Sequence, residues 1–256
     1  MNQRNTVRKG LGHWVLYFTL VILILAAWES ADMAGMLHAY TLPPLKTIVA
    51  TAVEYAQKGA LLNNIIVSLI RVLEGFAIAL VAGFVLGVLV SVFPRFETFT
   101  DLLIQIIRPI PPIAWIPLAI LWFGIGQSSK VFIIFLGAFF PIFVNTVDGI
   151  KNIDKRYYEL VEVYEVPKLE MIRKITIPGA LPSITTGIRL GLGNAWVCVV
   201  AAEMIGATSG VGFMLADGRS LSRPDVVILG MLIVGIFGKL MDDVLKIIRE
   251  RIITWN

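Results

Sequence analysis

Apolar residues gather in six runs, near residues 14–28, 69–93, 102–123, 131–147, 184–205 and 226–248, with more polar segments between them. Each run approaches the ~20 residues with which an α-helix crosses the hydrocarbon of a bilayer. They read as continuous apolar stretches and not as the one-sided stripes of soluble amphipathic helices. The pattern predicts an all-α integral membrane protein with about six transmembrane helices: a tail and first helix in residues 1–40, and a core of five helices in 41–256. The first run follows Arg4, Arg8 and Lys9, as a secretory signal peptide would, but no small-x-small cleavage site follows Trp28, so a retained helix is expected. Residues 41–67 are more polar, and Pro43 and Pro44 open a helix carrying Glu54 and Lys58 that is expected to lie at the external surface.

Composition agrees with the runs: 57% of the 256 residues are apolar and 16% charged, and the mean hydropathy is +0.81. One cysteine, Cys198, and two histidines, His13 and His38, leave no disulfide framework and no clustered metal site. The net charge of +4 is scattered between apolar runs, which argues against nucleic acid and for membrane orientation. With the amino terminus inside, the internal segments hold Arg4, Arg8, Lys9, Arg95, the basic residues of 151–174, Lys246, Arg249 and Arg251. The external side holds Lys46, Lys58, Lys130, Arg219 and Arg223. Lys and Arg concentrate in cytoplasmic loops, so both termini are expected in the cytoplasm.

Within the runs, Gly83 and Gly87, and again Gly187 and Gly191, stand four apart, the spacing of close helix packing. Pro109, Pro111, Pro112 and Pro117 interrupt the third run, which must therefore be broken or kinked. Irregular backbone at membrane depth is tolerated where protein buries it or where it lines a watery cavity, so this segment is a candidate for a translocation pathway. Arg71 and Glu74, one turn apart, are expected to pair. No midplane relay of Asp, Glu and His appears, which weighs against a proton-coupled carrier or an ATP-independent channel.

Residues 148–182 form the longest segment predicted to be cytoplasmic and carry both charge signs. Tyr157, Leu160, Val161 and Tyr164 recur at helical spacing on an otherwise charged helix, which Val166-Pro167 should stop. A second short helix with Met171, Ile172 and Ile175 should run to Pro178. Two short amphipathic helices joined by a break suit a groove on another protein.

This segment is similar to the Glu-Ala-Ala loop of binding-protein-dependent permeases, with Glu159-Leu160-Val161 at the Glu-Ala-Ala, Glu165 at the usual glycine and Ile177-Pro178 at the closing pair. Ser68-Leu69-Ile70-Arg71-Val72, the proline-rich stretch 108–118, Phe123-Gly124-Ile125-Gly126, and Ala195-Trp196 with 201–206 resemble the taurine, sulfonate and nitrate subfamily. The resemblance implies an importer of a small anionic or polar solute in the bacterial inner membrane, with two permease copies, separate ATPase subunits and an external solute-binding protein or lipoprotein. It makes Glu159, Leu160, Val161, Tyr164, Glu165 and Pro178 the ATPase-coupling loop. The chain lacks the Gly-x-x-x-x-Gly-Lys-Ser/Thr phosphate loop, so ATP and Mg are expected on the partner ATPase, with no cofactor, metal or catalytic residue here. Pro111, Pro112, Trp115, Asn194 and Trp196 are the candidate pathway linings.

Overall fold

The computed structural model describes residues 11–35 and 41–252, which form a chain of helices with no strand among them. In order these are α1 (Leu11–Met33), α2 (Leu45–Gln57), α3 (Ala60–Val92), α4 (Pro94–Ile107), α5 (Ile116–Phe123), α6 (Gln127–Lys151), α7 (Lys155–Val163), α8 (Lys168–Met171), α9 (Ile177–Gly206), α10 (Val211–Ser220) and α11 (Pro224–Ile252). A 3₁₀ turn, Pro112–Trp115, leads into α5, and a π turn, Ile172–Thr176, joins α8 to α9. His38 and the terminal residues 1–10 and 253–256 lie outside the described residues.

Among the described residues, four helical stretches are long and apolar enough to cross a membrane: α3, α6, the run from α8 through α9, and α11. The third apolar run is the departure. It divides into α4 and the 3₁₀–α5 segment, whose axes are bent by 88° at the prolines. The first run lies in the 23-residue α1. The second span starts earlier than its apolar run, because Asn63, Asn64 and Ser68 belong to the same helix. The fifth extends back through the π turn to Lys168, and that π turn stands directly before Pro178, whose nitrogen cannot donate. α10 is an element that the hydropathy pattern does not announce.

The core is a layer with α6 in the middle. Gly75, Gly83 and Gly87 of α3 press on Ile134, Ile142 and Thr146, and Gly187 and Gly191 of α9 press on Asn145 and Ile142. A Cβ at Gly187 would stand 2.6 Å from that of Asn145, and one at Gly87 2.8 Å from that of Thr146. Both glycine pairs thus serve close backbone approach. Val72, Ala79, Ile134, Ala138, Ile142, Leu192, Ala195, Trp196 and Val199 fill the layer. At the α2–α10 end a second cluster joins Ile48, Ile65, Val211, Met214, Val226 and Leu229. Ile70, Leu73 and Val81 of α3 and Met231 and Ile236 of α11 point outward, as lipid-facing residues do.

Candidate functional site

The hairpin between α6 and α9 is built from local chemistry. Asp154 caps α7 by accepting the Arg156 amide at 3.0 Å. Leu160, Tyr157, Val163 and Tyr164 face outward, with Val163 77% and Tyr164 76% exposed, whereas Val161 is buried against the body of the protein. Glu159 and Glu165 are exposed as well. The helix ends before the predicted Val166-Pro167 stop. Glu165 adopts a left-handed backbone, φ 50°, and the amides of Glu165 and Val166 return to the carbonyls of Glu162 and Val161. That is a Schellman cap, in which glycine is the usual left-handed residue. Pro167 then opens α8, and Leu169 is 79% exposed. Pro178 and Tyr157 line a cavity of about 550 Å3 between the hairpin and the start of α9.

The proline break runs along α6, from Asp148 near the hairpin, beside Arg108 and Pro109, to Ile133, against which Ile116 and Ala119 pack. Pro111 is exposed, Pro112 and Trp115 are half-buried, and Trp115 packs on a cluster of Ile116, Ala119, Ile133, Cys198 and Ala202. Arg108 and Pro109 line a second cavity, about 570 Å3, with Gln105, Phe143 and Asp148. α9 touches α3, α6, α10 and α11, yet keeps an outward stripe of Leu190, Asn194, Val197 and Met204. Asn194 is on that stripe. Trp196 is not: it is 3% exposed, packs on Phe237 and donates its indole N–H to the Val234 carbonyl at 2.9 Å. The five pathway candidates therefore divide between the break, the α9 stripe and the α9–α11 contact.

Sequence reasoning missed a charged knot at the α2–α10 end. Arg71 turns away from Glu74 and binds Glu203 through Nη1 at 2.7 Å, both side chains being buried. Glu203 also accepts from Ser68 Oγ and from the Gly212 amide at 2.9 Å. The Arg71 guanidinium donates to the Ser209 carbonyl and to Gln127, whose amide nitrogen in turn donates to Glu74. Ser68 and Asn64 take the Val211 and Gly210 amides. Gly210 has φ 119°, and a Cβ there would lie 2.3 Å from Glu203 Cδ, so the loop closes directly over the carboxylate. Spacing favoured the pair one turn apart; a partner 132 residues away becomes visible only when α3 and α9 are placed. Among the described residues no group of His, Cys, Asp and Glu is arranged to hold a metal ion.

Residues 75–254 match the family described as binding-protein-dependent transport system inner membrane component. A putative aliphatic sulfonates transport permease protein of Bacillus subtilis is 37% identical over 97% of this chain and 90% of its own length. A taurine transport system permease protein of Escherichia coli is 30% identical over 93% and 88%. The fold resembles that of an inward-facing methionine ABC transporter, with a TM-score of 0.64 at 18% identity over 74% of this chain and 96% of that one.

Proposed function

From the premise that this chain belongs to the binding-protein-dependent transport system inner membrane component family, we propose that it is driven by a separate ATPase seated on the α7–α8 hairpin. The chain is a multi-pass permease subunit of an ABC importer of the sulfonate, taurine and nitrate type. The observation that carries the coupling role is the outward apolar face of α7. Leu160, Val163 and Tyr164, with Leu169 of α8, stand exposed on a charged hairpin that connects α6, the middle helix of the core, with α9. Such a face fits a groove on a partner, and the α8–π–α9 continuity gives any movement of the hairpin a rigid route into α9.

In this reading the hairpin end faces the cytoplasm, in line with its basic residues, and the α2–α10 end faces outward. ATP and Mg sit on the ATPase, and this chain carries no catalytic group. An external solute-binding protein delivers a small anionic or polar solute, with sulfonates suggested by the relatives. Two copies form the pathway between them. Pro111, Pro112, Trp115 and Asn194 remain its proposed lining, while the buried position of Trp196 supports a packing role against α11.

The test uses the reconstituted importer. With Glu159 and Tyr164 both replaced by alanine, ATP hydrolysis should continue while solute uptake falls, because the hairpin no longer grips the ATPase. Unchanged uptake in that variant would sink the coupling proposal.

A further inference from the structure

Lys130, in the first turn of α6, is 5% exposed, although its place between two predicted spans suggested a solvated loop. Its ammonium donates to the Gly126 carbonyl at 2.8 Å. No carboxylate lies within ion-pair distance of it among the described residues. Three effects oppose a cation there. Burial removes its hydration. The amino-terminal end of a 25-residue helix is the positive end of its dipole, and no side chain caps the first-turn amides. Arg71 adds repulsion that Glu203 offsets from a distance, but Glu203 is already engaged by Arg71, and Glu74 spends its contact on Gln127 at the exposed edge. Two buried cations thus share one buried carboxylate.

Lys130 and Ser129 line a narrow cavity of about 10 Å3, covered by Ile116 and Ala119 of α5 and by Ala202 and Gly206 of α9. That is room for about one water. The cover is jointed at both ends: α5 has eight residues, follows the 88° proline break, and ends at Gly124 in the left-handed region, φ 76°, with nothing within 4 Å of the place a Cβ would occupy there. A short helix between two such joints can swing away from α9.

We propose that Lys130 is an anion-receiving station in the outer half of the permease. When α5 parts from α9, the ammonium and the uncapped amides of the first turn of α6 take the charged head of the solute, a sulfonate or similar monovalent oxyanion. The assignment rests on the importer reading and on the orientation given with it.

Binding is tested without transport, using the purified permease–ATPase complex, methanesulfonate as probe, and gluconate to hold ionic strength constant. Methanesulfonate should raise the melting temperature saturably, by roughly 5 °C at a hundredfold excess over Kd, in the native complex and in Lys130→Arg. Lys130→Gln should abolish the rise, and Lys130→Met serves in its place if the glutamine variant does not fold. An equal rise in the uncharged variant, or none in the native complex, would overturn the station. So would a larger rise with chloride than with methanesulfonate, since the site would then serve an inorganic ion and not the solute. Loss of ATP-driven uptake in the native importer would instead strike the importer reading, while the melting result stood.

Discussion

Among the described residues, two hold backbone that their side chains oppose. Glu165 and Ser222 have φ of 50° and 54°, and each stands where glycine commonly ends a helix. A glutamate disfavours the left-handed backbone that glycine takes freely, and the sequence places the stop of α7 at Val166-Pro167. The amide bonds to Val161 and Glu162 override that preference, because they satisfy carbonyls that the helix end would otherwise orphan. The conformation costs about 1 kcal/mol for a residue with a Cβ, and among the described residues the exposed Glu165 side chain forms no ion pair that offsets it. Glu165→Gly should therefore stabilise the hairpin by about 0.5–1 kcal/mol, after allowing for glycine's greater freedom in the unfolded chain. Hydrogen exchange of the Val166 amide would read this as stronger protection. Weaker protection in the glycine variant would mean that the glutamate side chain itself holds the turn.

At the level of elements, the fold depends on how closely α3 and α9 approach α6. A Cβ at Gly187 meets both the Asn145 side chain and, at 2.9 Å, the Pro141 carbonyl, neither of which can yield without moving a helix. Gly235 of α11 has open space around the same position. Gly187→Ala should lower stability by about 1–3 kcal/mol, whereas Gly235→Ala should be neutral or gain up to ~1 kcal/mol from helix propensity. Thermal loss of monodisperse permease–ATPase complex in the two variants measures both, and equal behaviour would refute the packing account. The spacing of these glycines was legible in the sequence because the 3.6-residue period places them on one face. The proline break was legible for a similarly local reason: each proline removes a donor wherever it stands. Arg71 with Glu203, and α10 closing over them, were not. A pairing 132 residues apart depends on tertiary placement, and α10 is too short and too mixed in character for a hydropathy window to separate it from a loop.

For the whole molecule, the outward surface has two kinds of apolar face that a bilayer alone does not distinguish. Val81 of α3 is 65% exposed and Val197 of α9 59% exposed, yet their surroundings differ. The Val81 side carries Ile70, Leu73, Ile78 and Val85, and the exposed Glu74 among them is held by the Gln127 amide. The Val197 stripe includes the exposed polar Asn194 and lies on the helix that four others already contact. An exposed amide facing acyl chains would leave hydrogen-bonding groups unsatisfied, so the α9 stripe is better placed against a second copy or a watery pathway between copies. In a two-fold pair each α9 would meet its counterpart through the same residues. With the buried Cys198 replaced by alanine, Val197→Cys should then give a disulfide-linked permease dimer under mild oxidation of membranes, and Val81→Cys should not. The bridge needs Cα atoms within about 7 Å, so its formation would place the two α9 helices in direct contact near their midpoints. Cross-linking from Val81 alone would move the seam to α3 and leave the α9 stripe to lipid, which would remove Asn194 from the pathway.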